Sequence, residues 1–489
     1  MRFLLILLLS MTSLTYANKK NISNNNPVVK QKIKCNMTLQ YVLLPEEADT
    51  LKDFLSEGIF YGRLRLNYFN FDTRSKGIDH YALGVGGSLL YKSASFNGFS
   101  FTSGLYTTQN PWHNSDTPSS LYRSGKDTLN RYDLATSGNY GNTVFAQNYI
   151  QYKQGKNHLK IGQFTMETSL AKSNDTKMIP NTFQGIYAEL RPFSKTKVKM
   201  AYITKQKLRD HDSFHHVLAY DSADEPYAQW RENDDGAMHQ GLTINKLKDK
   251  GINDKLIIVH LKNRSIKNTT LRADFLTVPN LLSTAIFEGA YTIKTPFAKI
   301  KPSVRYLKQF DNGAGDIGGA NLRNNTTGYK DPNSLSSALI AGRVDFIKGA
   351  GSVRFGYSKI ADQADLVSPW RGFPTSGYSR AMGQTNWYAN TETFMMRADY
   401  DLNKAKLIDG GRFMMRYAQE DFDDKKAGVS ADVNVLTVDL VKRFTEYPNF
   451  IAKLRTAFIY QDHKVLNLDK TYKTDPSYKE IRFEINYLF

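Results

Sequence analysis

The C-terminal stretch of the chain, residues 479–489, alternates between apolar and polar side chains. The apolar positions are Ile481, Phe483, Ile485, Tyr487 and Phe489. Arg482, Glu484 and Asn486 stand between them, and Leu488 alone breaks the pattern. Because successive side chains of a β-strand point to opposite faces, the stretch predicts a strand with one oily and one polar face. A soluble β-sandwich strand alternates in the same way, so the rest of the chain must decide between a sandwich and a membrane barrel.

The same alternation recurs from residue 60 onward in segments of roughly ten residues, the length of a barrel strand. Arg63 and Arg65, for example, alternate with Leu64 and Leu66. The sequence predicts eighteen such strands, near 60–70, 81–91, 98–107, 144–153, 158–165, 183–191, 196–205, 238–247, 255–263, 285–294, 298–310, 336–347, 351–360, 391–402, 411–420, 431–444, 449–461 and 479–489. The run near 268–277 is ambiguous, and we assign it to a loop.

The connections between these strands alternate strictly between long and short. The long ones are predicted at 71–80, 108–143, 166–182, 206–237, 264–284, 311–335, 361–390, 421–430 and 462–478. The short ones, such as 248–254, carry turn residues, as in Asn97-Gly98. Long loops at one end and short turns at the other are typical of bacterial outer-membrane barrels. We therefore predict an all-β, transmembrane antiparallel β-barrel over residues 58–489, with both chain ends in the periplasm.

The strand number bears on what such a barrel does. A ring of about 16 to 18 strands is too wide for its own side chains to fill and leaves an aqueous channel. Mean hydropathy is only −0.48, and the chain has 29 tyrosines and 28 phenylalanines. Alternation averages out in hydropathy, and aromatic residues suit the two girdles of a membrane barrel.

The N-terminus predicts export. Residues 1–17 combine one basic residue, a short apolar run and a final small residue, as a secretory signal peptide does. Residues 18–57 are predicted to form a flexible leader with a short helix within 46–57, and Cys35 has no second cysteine to pair with. The formal net charge of +18 would suggest nucleic acid as a partner in a cytosolic chain, but export argues against it.

Basic residues recur on the polar faces of several strands. These inward positions are Arg63, Arg65, Arg343, Arg354, Arg397, Arg412, Arg416, Lys453 and Arg455. Each would cost about 2–4 kcal/mol near the middle of the lipid face, so we assign them to the interior. The first strand and the last third of the strands become neighbours on closure, which would make a basic track along one wall. Asp345 and Asp399 lie on the same faces, so two interpretations stay open: guidance of anions, or structural ion pairs.

Three segments resemble the OprD-type (Occ) substrate-specific porins. These segments are 160–183, which includes Lys160-Ile-Gly-Gln-Phe164, the segment Phe394-Met-Met-Arg-Ala-Asp-Tyr-Asp-Leu-Asn403, and Arg412-Phe-Met-Met-Arg-Tyr417. The resemblance covers residues 58–489. It implies an eyelet narrowed by the third and seventh outer loops, 166–182 and 361–390, and a ladder of basic residues that takes up small carboxylate-bearing or amino-acid-like solutes. The constriction residues it implies are Lys172, Asn174, Asp175, Lys177 and Pro180.

One departure from that family concerns Asp399. Relatives carry an arginine before Tyr-Asp-Leu-Asn, whereas this chain has an aspartate there and Arg397 two residues earlier. The charge selectivity of this part of the eyelet therefore stays open. Lys453 and Arg455 match a pair of the basic ladder, and Arg416 matches another rung.

Other functions are less well supported by the sequence. His211, His215 and His216 have the i, i+4 spacing of a helical metal site but lie in a long loop, so we expect neither a metal nor another cofactor. No spacing singles out a catalytic triad, and we expect no enzyme. The competing prediction is a surface adhesin or structural barrel with little channel activity. The expected partners are outer-membrane lipids and small solutes, with the protein a monomer or a loose trimer.

Overall fold

The computed structural model of the protein describes residues 29–34, 37–74, 79–114, 128–220, 238–382 and 385–489. The predicted signal peptide 1–17 and Cys35 lie outside these ranges. The elements before the barrel are β1 (Gln31–Ile33), β2 (Leu39–Tyr41) and α1 (Leu51–Ser56). The described parts of the loops contain α2 (Arg131–Ser137), α3 (Ile244–Asp249) and α4 (Ala314–Gly318). None of the helices in the described ranges has the length and apolar character needed to cross a bilayer.

The barrel strands follow in chain order. They are β3 (Ile59–Thr73), β4 (His80–Lys92), β5 (Phe99–His113), β6 (Asn142–Gln154), β7 (Asn157–Phe164), β8 (Thr182–Leu190), β9 (Thr196–Lys207), β10 (Leu256–Asn263), β11 (Thr269–Val278), β12 (Leu282–Tyr291), β13 (Ile293–Lys294), β14 (Lys299–Asp311), β15 (Ser337–Lys348), β16 (Gly351–Ile360), β17 (Glu392–Asp401), β18 (Gly411–Asp421), β19 (Val433–Arg443), β20 (Phe450–Gln461) and β21 (Tyr478–Leu488).

These strands form one closed antiparallel ring. Both β12 and β13 pair with β14 and are two parts of one strand, so the described residues make eighteen strands. The ring closes between β21 and β3, in a register that runs from Tyr478 opposite Thr73 to Leu488 opposite Arg63. Closure leaves no strand edge with unpaired backbone groups, as a sheet in lipid requires. The predicted eighteen-stranded antiparallel barrel is confirmed.

One predicted strand is wrong, and the predicted total was right because a second error offset it. Residues 238–247 form no strand: they belong to a loop and to the start of α3, which Thr243 caps by accepting a hydrogen bond from the Lys246 amide at 3.4 Å. The ambiguous run that we assigned to a loop is strand β11. Its alternation is real, because Arg272 and Asp274 face inward while Leu271 and Phe275 are exposed on the outer face.

The loop lengths change accordingly. The fourth loop spans 208–255 rather than 206–237, the predicted turn 248–254 lies within it, and the fifth is a three-residue connection, 279–281. The first loop, 74–79, is also short. The remaining loops at this end are long, and the connections at the other end are short. Long and short connections therefore lie at opposite ends of the barrel, except for the short first and fifth loops. We call the two ends the long-loop end and the short-turn end.

The two faces of the sheet differ as alternation demands. On β17, Phe394, Met396 and Tyr400 are 55%, 41% and 41% exposed on the outer face, while Thr393 and Met395 are buried on the inner face. Aromatic rings cluster near both rims. Trp112 stacks on Tyr68 with ring centroids 5.3 Å apart at the long-loop end, and Phe450 meets Tyr487 at 4.6 Å near the short-turn end. Such rings suit the two interfaces of a bilayer.

The face assignment is testable with two methionines on neighbouring strands. Met396→Arg puts a charge in the middle of the oily face and should lower the free energy of unfolding from lipid vesicles by about 2–4 kcal/mol. The matched control is Met414→Arg, because Met414 faces inward, opposite Asp399 and Asp439. These two carboxylates can pair with the introduced guanidinium group. Equilibrium unfolding in urea, followed by tryptophan fluorescence, gives both values. Equal losses from the two substitutions would contradict the assignment.

Candidate functional site

The third loop, residues 165–181, lies inside the barrel and is held to the inner wall by two buried arginines. Arg63 donates to Asp175 Oδ2 at 2.9 Å, and Arg65 donates to Asp175 Oδ1 at 2.6 Å. The Arg63 and Arg65 side chains are 1% and 4% exposed. Arg65 also donates to the Met178 carbonyl at 3.2 Å. These two predicted members of the basic track therefore fix the loop and expose almost no charge to the lumen.

The third loop meets the seventh loop, residues 361–391, across the interior. The Lys172 amide donates to the Trp370 carbonyl at 2.8 Å, and the Gly372 amide donates to the Leu170 carbonyl at 2.7 Å. Only glycine allows this approach, because a Cβ at position 372 would lie 2.3 Å from the Leu170 carbonyl group. The two loops predicted to narrow the lumen thus form one hydrogen-bonded bridge.

The rest of the seventh loop is held by wall arginines that donate to its backbone carbonyls. Arg305 donates to the Pro374 carbonyl at 2.6 Å. Arg343 and Arg354 donate to the Gly377 carbonyl at 2.5 and 3.1 Å. Arg416 donates to the Arg380 carbonyl at 3.1 Å. Charged donors make stronger hydrogen bonds than neutral ones, so the arginines position the loop as well as carry charge.

The basic residues of this wall lie in register across neighbouring strands. One row of paired positions runs through Lys301, Asp345, Arg354, Arg397 and Arg416, from β14 to β18. The adjacent row contains Asp439, Arg455 and Arg482, from β19 to β21. Strands in a barrel are tilted, so such rows run obliquely around the lumen. The rows therefore form an oblique basic track.

Most arginines of this track are also paired with carboxylates. The pairs Arg354–Asp345, Arg397–Asp399 and Arg455–Asp439 each have an N–O distance of 2.5 Å. These three arginine side chains keep 21%, 29% and 22% exposure, so they remain accessible from the lumen. Arg416 differs, because among the described residues it makes no ion pair. Pairing and an accessible charge thus coexist at the same residues.

The other predicted site residues occupy three different positions. Arg412 lies on the inner face near the short-turn end and is exposed, and Lys453 lies 3.8 Å from Asp439. Lys172 and Asn174 are half-buried in the third loop. Lys177 and Pro180 belong to the same loop and are buried. Of the five predicted constriction residues, Asp175 anchors the loop, and Lys172 and Asn174 keep access to the lumen.

A second basic row, which was not predicted from the sequence, lies on another wall of the barrel. It runs in register through Lys197, Lys262 and Arg272 and continues through Glu288 to Arg305. Arg272 pairs with Glu288 and keeps 33% exposure. The signal was the alternation within residues 269–278, which the assignment to a loop discarded. Of the acids that pair with the first track, Asp345 and Asp399 were predicted, whereas Asp439 was missed because its pairing with Arg455 depends on strand register, which a single strand's sequence does not show.

The histidines singled out in the sequence do not converge on a site. His216 Nδ1 lies 2.7 Å from Asp254 Oδ1, and His211 and His215 have ring centroids 5.4 Å apart. Burial lowers the pKa of His211 well below the ordinary histidine value, with His215 adding to the shift. Within the described ranges no three His, Cys, Asp or Glu residues form a group that could hold a metal ion.

Comparison with solved structures finds this fold among the Occ porins. The barrel matches OccAB3 of Acinetobacter baumannii with a TM-score of 0.68 at 16% identity, over 89% of this chain and 100% of that one. OpdK and OpdQ of Pseudomonas aeruginosa give 0.65 at 15% and 0.63 at 16%, each over 89% of this chain and 99% of theirs. The fold is thus that of the Occ porins, as the motifs indicated. About a tenth of this chain lies outside the match. No family model and no curated protein sequence matches this chain.

The anchor of the third loop yields a stability prediction. Asp175→Asn leaves Arg63 and Arg65 buried without their counter-charge and should lower the free energy of unfolding by about 3–5 kcal/mol. The same change at Asp399, whose ion pair with Arg397 is about one-third exposed, should cost at most about 1 kcal/mol. Chemical unfolding of both variants in vesicles measures the difference. A smaller loss for Asp175→Asn than for Asp399→Asn would refute the anchoring role.

Proposed function

We propose that the protein is an outer-membrane porin, a passive channel for small water-soluble solutes that favours solutes bearing a carboxylate. The observation that carries this proposal is the bridge between the third and seventh loops inside a closed barrel whose wall presents accessible cations. A bridge of this kind narrows the lumen. The track beside it offers a passing anion a succession of positive charges, which is a recurrent basis of pore selectivity.

The location follows from the sorting of the loops. In bacterial outer-membrane barrels the short turns face the periplasm and the longer loops face outward. The short turns and both ends of the ring lie at one end here, so we place β3's start and β21's end in the periplasm. The two aromatic clusters, near opposite rims, support a membrane-spanning orientation. For the oligomeric state, the prediction remains a monomer or a loose trimer.

The preference for carboxylates rests on the type of cation in the track. The guanidinium group matches a carboxylate with two parallel donors, so arginine recognises it better than a point charge does. Arg354, Arg397 and Arg455 are half-buried, and each already faces a wall carboxylate. A solute carboxylate would share or displace these partners in turn, which allows binding without trapping. OpdK, one of the barrels with this fold, was solved with vanillate, itself a carboxylate.

The track is tested by removing two of its charges. Arg416→Gln together with Arg455→Gln should lower the anion-to-cation permeability ratio by roughly twofold or more, because fewer cations remain beside the bridge. Reversal potentials in planar bilayers under a salt gradient give this ratio. Arg264→Gln/Lys250→Gln is the control: both residues lie outside the strands, so the net charge changes equally away from the track.

The result also separates the remaining interpretations. An unchanged ratio in the Arg416→Gln/Arg455→Gln variant would mean that these arginines serve only to hold the wall and the seventh loop. Liposome swelling with small carboxylates, basic amino acids and neutral sugars tests the wider proposal. Folded barrels that insert without any permeability would favour the adhesin or structural barrel.

The ammonium group of Lys172 should make the preference of the channel for anions depend on pH. Burial lowers the pKa of its ammonium below 10.5, and the nearby Arg305 and Arg272 add to this, although Glu167 and Glu288 oppose it. A lowered lysine pKa means that the positive charge is lost at lower pH than in water, so anion preference should fall on the approach to pH 10.5. Reversal potentials from neutral to alkaline pH measure the fall. Lys172→Gln should flatten part of the curve, whereas a curve that keeps its full slope would exclude Lys172 from the conduction path.

A further inference from the structure

The segment before the barrel contains a hairpin, β1 and β2, that lies against the inner wall at the short-turn end. Ile33 is 6% exposed and packs with Ile451 and Leu488. Leu488 faces inward, since it lies opposite Arg63 in the closing register, and Ile451 lies opposite Asn486 on the same face. A side chain in contact with both must be inside the ring.

Hydrogen bonds fix the hairpin to the rim and to the wall. The buried side-chain amide of Gln31 donates through Nε2 to the Gly62 carbonyl at 2.6 Å, and the Arg443 guanidinium group donates to the Ile33 carbonyl at 3.3 Å. Arg63 donates to the Met37 carbonyl at 3.1 Å. Buried polar groups that are satisfied in this way favour one position of the hairpin over sliding or detachment.

The second strand of the hairpin extends the contact to β3 and β4. The Tyr41 ring lies edge-on to the Tyr61 ring with centroids 4.6 Å apart, and the Lys92 ammonium lies 4.5 Å from the Tyr41 ring centroid. Tyr61 donates its hydroxyl to the Leu43 carbonyl at 2.6 Å. The hairpin thus contacts wall residues of five consecutive strands around the closure, β19, β20, β21, β3 and β4.

Arg63 connects this hairpin to the constriction. The same guanidinium group that donates to Met37 also donates to Asp175 of the third loop at 2.9 Å and to Asn486 at 2.9 Å. The hairpin and the third loop are therefore adjacent along the lumen, one on each side of a single buried cation. Lys32 and Lys34, in contrast, have exposed side chains.

We propose that the hairpin formed by β1 and β2 is a resident plug that narrows the short-turn mouth and completes the constriction together with the third loop. This proposal rests on the proposed channel function. Every solute that passes the loop bridge then passes the hairpin with its exposed lysines.

The plug is tested by detaching it within the full mature chain. Ile33→Glu places a carboxylate against Ile451 and Leu488 and should release the hairpin, which raises single-channel conductance by about twofold or more as the mouth widens. Gln31→Ala is a milder variant that removes the hydrogen bond to Gly62 and should give an intermediate increase. The matched control is Leu51→Glu, because Leu51 is 71% exposed in α1 and its substitution leaves the hairpin in place.

A labelling experiment measures whether the hairpin is docked against the barrel wall, independently of ion conduction. In a Cys35→Ser background, the thiol introduced by Ile33→Cys should react slowly with maleimide and react faster when Gln31→Ala is added. Rapid reaction in the first protein would overturn the docking. Release of the hairpin without a change in conductance would overturn the plug, whereas the absence of conductance from all variants would refute the channel function itself.

Discussion

Lipid can neither donate hydrogen bonds nor neutralise charge, and this constraint accounts for most of what the barrel looks like. The backbone must satisfy itself, which it does by closing β21 onto β3 with no edge left over. Charged side chains must go to the other face, which is why Arg397 and Arg416 point inward while Met396 and Met415 are exposed outside. The interior of such a ring therefore contains far more charged side chains than the core of a soluble protein.

The barrel interior accommodates its charged side chains in two ways, and both involve arginine. Arg63 and Arg65 are buried and share the carboxylate of Asp175, so they act as fixed points for the third loop. Arg354 and Arg416 remain partly accessible and donate to carbonyls of the seventh loop. Guanidinium groups suit this double use, because one planar fork can bind a backbone carbonyl and still present a second edge. The structure therefore shows structural pairing at Arg63 and Arg65 and partly accessible charges at Arg354 and Arg416, while guidance of anions stays a prediction.

Much of this arrangement was predictable from the sequence, because it depends on local periodicity. The alternation identified seventeen of the eighteen strands, and the long connections placed the third and seventh loops correctly. It failed at 238–247, where Thr243 caps a helix, and at β11, whose run was ambiguous and was assigned to a loop. Partners across strands, such as Arg455 and Asp439, depend on register, and the hairpin in the short-turn mouth depends on tertiary contacts. Neither has a signature in one strand's sequence.

The fold, the loop bridge and the basic track all support one claim: the closed ring encloses a hydrated path, narrowed by its own loops and bordered by cations. The most direct measurement is the zero-current potential of the unmodified protein in a planar bilayer under a potassium chloride gradient. We expect small, stable conductance steps and a potential whose sign shows that chloride passes more readily than potassium. Folded barrels that insert silently, or a potential of cation-selective sign, would contradict it.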